Sequence, residues 1–86
     1  MTDKQRETVH RINNFYGHET EISKVNEELG ELITAVAREN VNNIAEEIAD
    51  VSICLEHLAY MYGIERAEID TIIDYKLNRQ LGRMGE

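Results

Sequence analysis

The chain has 86 residues, of which 42% are hydrophobic and 30% charged, and its formal net charge is −8. That balance excludes a disordered chain, and it disfavours a protein that coats nucleic acid, whose phosphates an acidic surface repels. One cysteine, Cys54, excludes an internal disulfide and a multi-thiolate metal site, and no apolar run approaches the length needed to cross a membrane.

A length of this order predicts one domain over residues 1–86, and a core so small favours oligomerisation. The chain contains no Pro, so the strongest helix breaker is missing. Apolar spacing predicts four helices and no strand, an all-α fold. The first helix is expected over Asp3–Tyr16, with Thr2 and Gln5 as a capping box and Gly17 as its stop. The second is expected over Glu21–Glu39, capped by Thr20, with Val25, Leu29, Leu32, Ile33 and Val36 as its apolar stripe. Asn40 to Asn43 reads as a turn, and Asn43 with Glu46 as the start signal of the third helix. That helix carries Ile44, Ile48, Val51, Leu55, Leu58 and Tyr62, and Gly63 stops it. The fourth is expected over Arg66–Leu81 on Ile69, Ile72, Ile73 and Leu77, leaving a loose tail at 82–86. The segment Met1–Glu7 is no signal peptide, so a cytoplasmic protein is expected.

Two acidic steps stand out: Glu28-Leu29-Gly30-Glu31 and Glu47-Ile48-Ala49-Asp50. Carboxylates at i and i+3 project from one helix face. Glu47 lies three residues after Ile44 and four before Val51, on the apolar side of its helix, and Asp50 borders the same groove. Glu28 stands likewise between Val25 and Leu32, with Glu31 at the edge near Ala35. A short connection makes the two helices an antiparallel hairpin, so these acids can converge. Inward carboxylates repel one another and are costly to bury unpaired, which leaves a cation, protons or access to water as remedies. A hard cation such as Mg²⁺ takes oxygen ligands of this type. A solvated acidic face is the alternative reading, and it suits Glu27 and Glu46 better.

Lys76, Arg79 and Arg83 form a basic stripe on the last helix. Cations there can bind phosphate or complement the helix dipole. Lys76 follows Ile72 and Ile73 by one turn, so its stem is expected at the core border. Lys24, one turn before Glu28, can reach the groove or pair with Glu28.

Glu27-Glu28-Leu29-Gly30-Glu31-Leu32, then Glu46-Glu47-Ile48-Ala49-Asp50-Val51, then Lys76, resembles the MazG-like all-α nucleotide pyrophosphohydrolases. Their signature is ExxE followed, after a short hairpin, by ExxD; here fifteen residues separate Glu31 from Glu47. The resemblance covers Ile22 to Arg83. It implies a four-helix MazG-like bundle completed by dimerisation, as a homodimer or dimer of dimers. It implies Glu28, Glu31, Glu47 and Asp50 as ligands of Mg²⁺, with Mn²⁺ as a substitute. It also implies cleavage of a (d)NTP to (d)NMP and pyrophosphate by attack of a metal-activated water. Glu31 is the candidate for taking the proton, and Lys76, Arg79, Arg83 and Lys24 are the candidates for holding the substrate. With no Trp, only Phe15, Tyr16, Tyr60, Tyr62 and Tyr75 are available to stack on a base. Phe15, Tyr16 and His18 lie where the first helix turns and can form a lid on the nucleoside; the favoured reading puts the rings in the core and His18 in a surface turn.

Two other readings compete. A di-iron carboxylate bundle needs Glu-x-x-His steps, and Glu7-Thr8-Val9-His10 supplies only one, far from the acidic pairs. A non-catalytic helical dimer, acting as a nucleotide-binding or protein-interaction module, needs no inward acid, and Leu or Ala at Glu47 would suit it better.

Overall fold

A computed structural model describes residues 1–86 as four α-helices: α1 (Asp3–Tyr16), α2 (His18–Ala37), α3 (Val41–Met61) and α4 (Arg66–Arg83). α1 begins at the expected capping box: Thr2 accepts from the Gln5 amide, and the Gln5 side chain accepts from the Thr2 amide. Gly17 alone joins α1 to α2, at φ 92°, a conformation that strains any residue bearing a Cβ. The chain therefore reverses in one residue, and α2 starts at His18 rather than at Glu21 behind a Thr20 cap. Glu19 and Glu21 fall in its first turn, where acids complement the dipole.

α2 ends at Ala37, two residues before the expected Glu39, because Glu39 adopts a left-handed conformation with φ 54°. The turn then lies at Arg38 to Asn40, and the α3 cap is Asn40, whose side chain accepts from the Asn43 amide at 3.2 Å. Asn43 and Glu46 are already helical and cap nothing. The shift has a simple cause: Asn40 is the last residue with extended backbone, at φ −85° and ψ 98°. Gly63, at φ 64°, closes α3, with the Ile64 amide donating to the Ala59 carbonyl at 2.9 Å. α4 runs to Arg83, past the expected end at Leu81.

α2 and α3 pack as an antiparallel hairpin with α1 across one end. Their shared core is small: Val9, Val25, Ala35, Val51 and Cys54 among apolar residues, together with Asn13, Glu21 and His57. A second polar seam fixes α1 to α3. His10 stacks on Tyr60 at 4.0 Å and pairs with Glu56 at 2.8 Å, while the Tyr60 hydroxyl donates to Asn14 at 2.9 Å. His10 is thus engaged with α3, not with Glu7.

α4 buries no residue, and Ile72 and Ile73 are each 47% exposed. The four helices do not close into a bundle within one chain. The radius of gyration is 15.3 Å, against roughly 12 Å for a compact chain of this length. Much of the expected core is likewise outside: Ile33, Val36, Ile48, Leu55 and Leu77 are exposed. So are Phe15 and Tyr16, which were expected inside; at the last turn of α1 before Gly17 their rings meet each other edge to face at 4.8 Å and are not covered by another helix.

Candidate metal centre

The α2–α3 hairpin brings three of the four signature acids together. Ligand oxygens of Glu28, Glu47 and Asp50 all lie within 4.8 Å of one another. Helical register does this: Glu28 extends the buried Val25 row of α2, and Glu47 and Asp50 flank the Val51 row of α3. Glu28 and Glu47 are half-buried, and the Oε2 atom of each is buried with no hydrogen-bond partner. Glu31 is exposed at the rim, one turn further along α2.

The electrostatics follow from that crowding. Glu28 is pushed up from the usual carboxylate range to about 7, first by burial, then by the charge of Glu31, with the nearby Glu47 and Asp50 carboxyls adding to it. Glu47 is also pushed up, again chiefly by burial; the nearby Glu28 carboxyl opposes the rise, and the charges of Glu31 and Asp50 add to it. Crowding and burial therefore hold both carboxyls above the usual carboxylate range. The donor set is all oxygen, it carries excess negative charge, and two of its buried atoms are orphaned. Those properties fit a hard divalent cation.

The basic residues are arranged differently. Lys24 lies on the groove flank, one turn before Glu28, with its ammonium 5.5 Å from the Tyr16 ring centre. Lys76, Arg79 and Arg83 are exposed on α4, which stands off the hairpin, so none of them meets the acids within one chain. The Lys76 stem does not border a core, because Ile72 and Ile73 beside it are themselves uncovered. Arg79 lies over Tyr75 at 5.8 Å, and Arg83 falls in the last turn of α4, where it complements the dipole.

The sequence reading missed a second polar layer two helical turns away. Asn13 Nδ2 lies 3.0 Å from His57 Nδ1, and His57 Nε2 lies 3.4 Å from Glu21 Oε2. All three residues are buried. The signal was available: Glu21 precedes Glu28 by one heptad and His57 follows Asp50 by one, so the layer repeats the register of the acids. Cys54 sits between the layers; burial raises its thiol pKa, and Glu28 and Glu21 both add to the rise. Two grooves, of about 550 and about 540 Å³, lie between α1 and α3, the first reaching the start of α4, and include none of the four signature acids.

The α2–α3 hairpin of this all-helical chain thus carries a convergent carboxylate cluster across its ExxE and ExxD steps. The model of one family, the MazG nucleotide pyrophosphohydrolase domain, matches residues 16–76, a span that holds both acidic steps and Lys76. The chain belongs to the MazG family. Neither the curated proteins nor the solved structures gave a significant match.

Proposed function

We propose that the protein is a Mg²⁺-dependent nucleoside triphosphate pyrophosphohydrolase that converts (d)NTP to (d)NMP and pyrophosphate. The observation that carries this reading is the convergence of Glu28, Glu47 and Asp50, with buried oxygens left unpartnered on two of them. Glu28, Glu47 and Asp50 hold the ion, and Glu31 completes the set from the rim. The ion, when bound, supplies phosphate charge neutralisation and an acidified water. Glu31 is exposed and is the residue free to accept the proton of the attacking water. Lys24 lies close enough to the groove to meet the phosphate chain. The exposed rings of Phe15 and Tyr16 beside it offer faces to a base.

The active form is a homodimer or a dimer of dimers. Support comes from α4, whose Ile69, Ile72, Ile73, Leu77 and Leu81 are uncovered in the single chain. A second copy that covers this face can bring its Lys76, Arg79 and Arg83 to phosphates held at the acids.

The test is a panel of NTPs and dNTPs with Mg²⁺, scored for pyrophosphate and for orthophosphate separately. Pyrophosphate release that disappears in Glu47→Gln, with the helical circular-dichroism signal intact, is the expected result. Orthophosphate alone, or turnover that survives the substitution, refutes it.

A further inference from the structure

We infer that Glu21, His57 and Asn13 are positioning residues: a buried polar lock that holds α2 in register on α3 and so keeps Glu28 opposite Glu47 and Asp50. This rests on the reading that the acidic cluster binds a divalent ion.

The three side chains are 0 to 3% exposed, in a core with only five buried apolar residues, none larger than Val. Fully buried side chains this small resist sliding and rotation of one helix on another weakly, and the larger Leu32, Ile44 and Leu58 are only half-buried. Outside the acidic cluster, Glu21–His57 is the polar side-chain contact that joins α2 to α3. Asn13 extends it to α1. With Asn13 donating to Nδ1, the His57 proton lies on Nε2, facing the Glu21 carboxylate. Burial, the largest influence on His57, holds its pKa below the usual value and keeps the ring neutral. Oε1 of Glu21 and Oδ1 of Asn13 are left without partners, so the layer is a poor device for stability alone.

Placement gives the layer its role. The turn at Arg38–Asn40 ties the hairpin at one end, Glu21–His57 ties it near the other, and the acids lie between. An apolar pair in place of Glu21 and His57 packs at least as stably but lacks the polar contact that fixes one partner against the other. It frees the helices to shift against each other, and a site of three ligands from two helices loses its alignment.

The test pairs Glu21→Leu/His57→Leu with the single variant Glu21→Gln, which keeps an acceptor for His57. Three quantities are measured: melting temperature in EDTA, Mn²⁺ affinity by calorimetry, and the distance between nitroxides at exposed Asn26 and Ser52, diluted with unlabelled protein. In the double variant the melting temperature is expected to hold or rise, Mn²⁺ affinity to fall about tenfold or more, and the nitroxide distance to broaden or move by roughly 5 Å, one helical turn. Glu21→Gln is expected to keep the wild-type distance and most of the affinity. A double variant with unchanged affinity and distance overturns the inference. One that fails to fold also overturns it, since the layer would then be needed for folding and not for register. If the wild type itself binds no Mn²⁺, the metal reading fails, and the nitroxide distances still decide for or against the lock.

Discussion

Metal affinity should depend steeply on pH near neutrality, and the cause lies in the crowded carboxyls, Glu28 above all. Glu28, ordinarily at 4.5, is raised to about 7 in the folded chain without metal. A cation needs the carboxylate, so binding must displace the proton. At about pH 6 roughly one Glu28 in eleven is ionised, and at about pH 8 roughly ten in eleven. Mn²⁺ affinity should therefore rise roughly tenfold between these values, flatten above, and fall about a decade per unit below. The sign for stability is opposite. The folded state binds more protons than the unfolded state between 4.5 and about 7. The metal-free protein should then lose stability as pH rises through that window, while saturating Mn²⁺ restores it. Calorimetry in two buffers of different ionisation enthalpy measures both the affinity and the proton released. Glu28→Gln should bind more weakly and show both effects reduced, with the share of Glu47 remaining. A wild-type affinity that stays level from about pH 6 to about pH 8, with no proton release, refutes the crowded-carboxyl argument.

Two further outcomes concern stability and assembly. Glu39 holds a left-handed conformation at φ 54°, so Glu39→Gly should raise the melting temperature, by about 0.5 to 1 kcal/mol of unfolding free energy once the greater freedom of unfolded glycine is subtracted. A lower melting temperature would show that the Glu39 side chain contributes more than its backbone costs. Light scattering should give a mass at least twice the 9.9 kDa of one chain. Ile72→Glu/Leu77→Glu should lower it to the monomer and abolish pyrophosphate release, because α4 then cannot dock. A wild-type monomer with full activity would refute the arrangement.

The helices were largely legible from local chemistry. The Thr2–Gln5 box and Gly17 set α1 at both ends, since capping and positive φ act within a few residues. The hairpin starts were misjudged by a turn or less, because Thr20 and Asn43 are good caps in isolation but Gly17 and Asn40 come first in the chain. The inward aspect of Glu28 and Glu47 was readable from their spacing to Val25 and Val51, which is a matter of helical period. Glu21 and His57 follow the same period but went unread, because a lone acid and a lone histidine carry no local signal until the partner helix brings them together.

The sequence by itself determined an all-helical chain, four segments of nearly the right length, and acids placed on the apolar side of two of them. Propensity, capping and periodicity are short-range, and one chain contains all of that information. Only the tertiary structure decided which acids meet, how far burial and mutual repulsion raise Glu28, and that a polar layer joins all three packed helices. It also decided that α4 stands away with its apolar face uncovered, which no helical period distinguishes from a face turned to the core. Those outcomes depend on contacts between residues far apart in the chain, and the pairing of helix faces is settled by packing rather than by any single helix.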